Sequence, residues 1–158
     1  MADTRFAGLL DVFAAAAVAG DGKRFAALFT EDGRYHDVFY GTFQGRAAIA
    51  GMIENRFHRD AENFRWDMHD PVRGGDVGYA RYVFSYDSKL AGSEGKRALF
   101  EGVSIFRLAG DAIRDYREVA NAAPGLVSLG FAQERIVKFL AREARELAAR
   151  PEARGHVR

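Results

Sequence analysis

In the stretch DGRYHDVFYG, from Asp32 to Gly41, a tyrosine, a histidine and an aspartate stand in a row. All three can handle a proton. In a strand, successive side chains point to opposite faces, so Tyr35 and Asp37 share one face and His36 takes the other. Alternation alone leaves open which face looks inward. A carboxylate on an apolar wall is desolvated, which disfavours its charged form and raises its pKa. Such a group is a usable proton shuttle near neutral pH. The structural alternative is an acid that caps a loop amide or pairs with Arg34 or Arg46.

The other histidines offer less. His69 lies opposite Phe64, Trp66 and Met68 on an alternating strand, which places it on the outer face unless a bulge after Asp67 reverses it. His58 ends a helix and can meet its dipole, and His156 falls near the C-terminus. No two histidines have metal-ligand spacing, and there is no cysteine, so neither a metal nor another cofactor is expected. A chain without cysteine fits a reducing compartment, and a cytoplasmic location is expected. The net charge of +1 gives no reason to expect nucleic acid or an anionic membrane as partner.

These residues need elements to position them. Phe6, Leu9, Leu10, Phe13 and Ala17 recur at helical spacing, predicting a helix over about 4–19 that stops at Gly20. The same stretch has a superficial likeness to a secretory leader, but Asp3 and Asp11 interrupt it, and it is read as part of the fold. Asp21 can cap a short second helix. A strand is expected over about 33–39, then a loop bracketed by Gly41 and Gly45. A third helix carries Ile49, Met52, Ile53 and Phe57 on one face. Period-two alternation then predicts four strands in two hairpins, turning at RGGD and AGD. Pro124 and Gly125 end the sheet, and a last helix begins near Phe131. Segregated helices and strands predict an α+β fold with an antiparallel sheet. A chain of 158 residues with 48% hydrophobic residues suits one domain, read as residues 1–150, with 151–158 as a disordered tail.

ALFTEDGRYHDVFYGTFQGRAAIAGMI resembles the stretch joining the second helix, first strand and third helix of the nuclear-transport-factor-2-like superfamily. FEGVSIFRLAGDAIRDYREVAN resembles its last hairpin, and LVSLGF is similar to the SnoaL-like, polyketide cyclase-like branch. The resemblance implies a cone: a curved antiparallel or mixed sheet wrapped around the N-terminal helices, here with an extra C-terminal helix. It implies an apolar pocket for a small hydrophobic molecule, and a homodimer through the outer sheet face. Ketosteroid isomerase and limonene epoxide hydrolase are relatives, and so are proteins with no chemistry.

Against these relatives, Tyr35 and Asp37 face inward, with Asp37 where the isomerase has its proton-moving carboxylate. Glu118 falls where the hydrolase has a catalytic carboxylate. Asp37, Glu118 and Tyr35 are the expected catalytic residues, and two inward acids could divide acid and base roles. Trp66, Tyr116, Phe100, Ser104, Phe13 and Arg81 are the expected substrate-binding residues. A salt bridge from Glu118 to Arg81 is the structural alternative. Phe13 and Ser104 stand where the isomerase has its oxyanion donors, and Val83 where the hydrolase has an aspartate. The expected chemistry is isomerisation, cyclisation, hydration or elimination; the alternative is a pocket that only binds, or a structural homodimer. Whether Tyr82, Phe84 and Tyr86 or Tyr79, Arg81 and Val83 line the pocket stays open. The last helix is expected over the cone's mouth or across a partner subunit, with Leu129 and Phe131 as a lid.

Overall fold

A computed structural model describes residues 3–157. Helix α1 spans Thr4–Ala19 as its spacing predicts. Asp3 accepts the amides of Arg5 and Phe6, and Gly20 closes the helix at φ 72°, a left-handed conformation that suits glycine. Phe6, Leu10, Phe13 and Ala17 form its buried stripe. Asp21 caps α2 (Gly22–Ala26) by accepting the Arg24 amide.

Strand β1 runs Phe29–Asp37, starting earlier and ending sooner than expected. The stretch read as a loop holds a further strand, β2 (Gly41–Gln44), paired antiparallel to β1. Four residues between glycines give too short a pattern to show a period. The third helix is not uniform: α3 (Arg46–Met52) passes through a π turn at Ile53–Phe57 into α4 (His58–Asp60). Its expected apolar face, Ile49, Met52, Ile53 and Phe57, is buried throughout. The two hairpins are β3 (Ala61–Gly74) with β4 (Val77–Ser88), and β5 (Arg97–Ala109) with β6 (Ala112–Asn121). Pro124 does end the sheet, but it also opens a short helix, α5 (Ala123–Ser128), where a missing N–H costs nothing. The last helix, α6, covers Gln133–Ala148. Beyond it Pro151–Ala153 forms one 3-10 turn, and Glu152 pairs with Arg117 at 3.5 Å. No helix among the described residues is long and apolar enough to cross a membrane.

The six strands make one mixed sheet in the order β2-β1-β6-β5-β4-β3, with only β1 and β6 parallel. It is the α+β architecture expected, a curved sheet around N-terminal helices with an extra C-terminal one. The core lies between α1, α2, α3 and the concave face. Phe13 is fully buried there, with the rings of Phe25, Trp66, Phe106 and Tyr116 between 4.7 and 5.4 Å away.

Residue Gly78 lets α1 approach the sheet. A Cβ there would lie 2.3 Å from the Phe6 ring, which is itself buried and cannot swing aside. Gly78→Ala should therefore destabilise the fold by about 1–3 kcal/mol, measured by urea unfolding; an unchanged midpoint would mean that the helix is free to shift.

Candidate active site in the cone

The cone encloses a cavity of about 350 Å³, lined mostly by aromatic and aliphatic side chains. Tyr35 and Asp37 enter it from β1, and His36 points to the outer face, where its Nδ1 meets the Thr42 hydroxyl at 2.8 Å. Glu118 and Ala120 enter from β6 and Phe100 from β5. The parallel register pairs Tyr35 with Tyr116. One same-face step further along both strands sets Asp37 beside Glu118.

On β4 the open question is decided. Tyr82, Phe84 and Tyr86 face the cavity. Trp66 opposes Phe84, and Phe84 opposes Phe100, so three strands turn their rings to the same side. Arg81 is accordingly a correction: it lies on the outer face, about half exposed, paired with Asp70 at 3.2 Å. It neither reaches a ligand nor bridges to Glu118. His69 stays out of the cavity too, because the two irregularities in β3 fall between Glu62 and Arg65 and between His69 and Val72, so the register from Trp66 to His69 is unbroken.

Three further expectations need correcting in depth rather than direction. Phe13, Ser104 and Tyr116 point inward but lie behind the cavity wall. The Tyr116 ring stacks on Tyr35 at 4.5 Å, and its hydroxyl meets Ser104 Oγ at 3.0 Å. The same hydroxyl reaches Glu118 Oε2 at 3.4 Å. Tyr116 and Ser104 thus position Glu118 rather than touch a ligand. Trp66 and Phe100 do line the cavity.

Asp37 has two jobs divided between its oxygens. Oδ1 accepts the amides of Phe39 at 2.8 Å and Tyr40 at 2.9 Å, fixing the turn after β1. This is the loop-capping role open in the sequence; Arg34 pairs with Asp115 and Arg46 with the Phe29 carbonyl instead. Oδ2 accepts no hydrogen bond among the described residues. Burial pushes the Asp37 carboxyl up to about 6, against the pull of the two amides and of the Arg142 charge. Burial pushes Glu118 further, to about 8, and the charge of Asp37 adds to the rise; the Tyr82 and Tyr116 hydroxyls oppose it. Glu118 is half-buried and lines the cavity. Asp37 therefore ionises first, and its charge then holds the proton on Glu118.

Linkage gives this a stability signature. Both carboxyls bind protons more tightly folded than at their ordinary values of 3.8 and 4.5. The stability they contribute is complete below those values and is lost as pH rises through about 6 for Asp37 and about 8 for Glu118. Glu118→Gln should raise the unfolding temperature relative to wild type at pH 9 and not at pH 4; equal shifts at both pH values would refute the linkage.

The C-terminal segments complete the chamber. Leu129 and Phe131 line it, as do Phe139 and Arg142 of α6. Arg142 donates to the carbonyls of Val38 at 2.5 Å and Phe39 at 3.4 Å, and Phe139 packs on Phe39 with centroids 5.2 Å apart. Helix α6 thus covers the mouth of its own cone. Sequence reasoning missed Arg142, Tyr40 and Asp60 as cavity residues. Tyr40 donates to Asp60 Oδ2 at 2.7 Å, and Arg59 grips Asp60 through two bonds. The Trp66 indole N–H is buried without a hydrogen-bond partner.

The family profile of the SnoaL-like domain matches residues 10–116. The chain belongs to the SnoaL-like family. No curated protein matches it in sequence. Solved structures of this SnoaL-like fold are similar at low identity. One, from Catenulispora acidiphila, has a ketosteroid isomerase-like fold and was solved in complex with trimethylamine. It is 23% identical, with 80% of this chain and 95% of that one covered and a TM-score of 0.71. An LEH-like epoxide hydrolase from M. tuberculosis is 16% identical over 89% and 97% of the two chains, TM-score 0.64. A protein from Xanthomonas campestris pv. campestris designated a polyketide cyclase is 21% identical over 80% and 97%, TM-score 0.63. At these identities the likeness is one of fold. The matched SnoaL-like region contains Asp37 and stops short of Glu118 and α6.

Proposed function

We propose that this SnoaL-like protein performs acid–base chemistry on a small hydrophobic molecule, with Asp37 as proton acceptor and Glu118 as proton donor. The observation that supports it is one apolar cavity holding two carboxyls, pushed to about 6 and about 8. At neutral pH the first is ionised and the second protonated, which divides base and acid between them. Oδ2 of Asp37 would take a proton from a substrate carbon or a water. Glu118 would give one to a substrate oxygen or carbon, with Tyr35 and Tyr82 orienting the reacting groups. The pair is restored when Asp37 returns its proton and Glu118 regains one. Isomerisation, cyclisation, hydration and elimination each use such an exchange of protons.

A second reading, binding without turnover, is favoured by Oδ1 of Asp37, which already holds the turn through two amides. Carboxyl titration by 13C NMR separates the two. Apparent pKa values near 6 and 8 in the free protein support the acid–base reading; both near 4 favour binding alone.

We read the protein further as a cytoplasmic homodimer through the outer sheet face. Leu99, Val103, Val119 and Tyr79 support this, as exposed apolar residues on that face.

A further inference from the structure

We infer that the cavity takes a ligand whose apolar body carries one positively charged amine, held between a wall of aromatic faces and the Asp37 carboxylate. This rests on reading the cavity as a small-molecule site, and it goes further by naming the ligand's charge.

The wall comes from β3, β4 and the π turn. Phe64 and Phe84 lie 5.9 Å apart between ring centroids, Phe64 and Tyr86 5.8 Å, Trp66 and Phe84 4.9 Å, and Phe57 and Phe64 6.2 Å. All five rings line the cavity. Aromatic faces carry negative potential and attract cations, most strongly where water is excluded. Asp37 reaches the same cavity from β1, at the other end of the sheet, 97% buried and with Oδ2 unpartnered.

The basic groups near the cavity are engaged elsewhere. Arg142 is tied to the Val38 and Phe39 carbonyls. Arg135 sits over the Phe131 ring at 3.8 Å. Arg59 answers Asp60, the remaining acid on the wall. Glu118 is held protonated near neutral pH by burial and by Asp37. The Asp37 carboxylate therefore has no direct ion-pair partner among the described residues, and the Arg142 charge acts on it only through space. A single ammonium compensates it and gains the ring faces as well.

The test compares benzyltrimethylammonium with its uncharged carbon isostere, neopentylbenzene, at pH 7.5. Trp66 is the sole tryptophan, so its fluorescence reports occupancy directly. The expected result is about tenfold tighter binding of the cation, the scale of a desolvated cation–π contact. In Asp37→Asn that preference should shrink at least threefold, through weaker binding of the cation. Equal affinities in the wild type overturn the inference and leave the small-molecule reading standing. Binding of neither probe overturns both. A preference undiminished in a folded Asp37→Asn overturns the assignment of Asp37 as counter-charge. Should that variant not fold, Phe84→Leu in its place must reduce the preference, and failure to do so overturns the aromatic wall.

Discussion

Replacing Asp37 by asparagine should lower kcat/KM about 10²–10⁴-fold on any molecule the wild type turns over, the usual contribution of a positioned general base. The reasoning starts from shape. Asparagine is nearly isosteric, and its side-chain oxygen can still accept the Phe39 and Tyr40 amides that Oδ1 now holds. The turn survives, and what is lost is the oxygen proposed to take the proton. The pH profile gives the sharper measurement. Asp37 must be ionised to accept, so wild-type kcat/KM rises as pH climbs through about 6. Glu118 must be protonated to donate, so it falls through about 8. Asp37→Asn should erase the acid limb from its residual activity, and Glu118→Gln the alkaline limb. Full turnover by Asp37→Asn would remove it from the mechanism and leave it as the cap of a loop.

The second large effect belongs to the core beneath the site. Phe13→Ala should cost about 3–5 kcal/mol in urea unfolding. Phe13 is fully buried and packs edge-on against Trp66 and Phe106, and more obliquely against Phe25 and Tyr116. These neighbours are rigid rings anchored on separate elements, so they close a void poorly, and the cavity term adds to the lost transfer energy. The void would open behind Tyr35 and Trp66, which line the cavity. A loss below about 1 kcal/mol would show that the cluster collapses freely, and the cone would then not be a rigid mould.

On the proposed acid–base reading, stability and function pull against each other here. Two buried carboxyls in an apolar chamber are costly in their charged forms.

By itself the sequence determined the local facts. The apolar stripe and Gly20 marked α1, and alternation put Tyr35 and Asp37 on one face with His36 on the other. Both depend only on neighbours along the chain, where helix and strand periods operate. The resemblance of whole segments then supplied the fold. The tertiary structure decided the rest. On β4 both alternating sets are bulky, so period two could not say whether Tyr82 or Arg81 looks inward; pairing with Trp66 and Phe100 settled it. Asp37 and Glu118 line one cavity because β1 and β6 pair in parallel, a pairing between distant segments that no local period encodes. Their separated pKa values come from burial by rings on four strands, a third helix and α6. Depth is likewise invisible to alternation, which fixes the direction of a side chain but not how far along a cone it sits. That is why Phe13, Ser104 and Tyr116 point inward yet stand behind the wall.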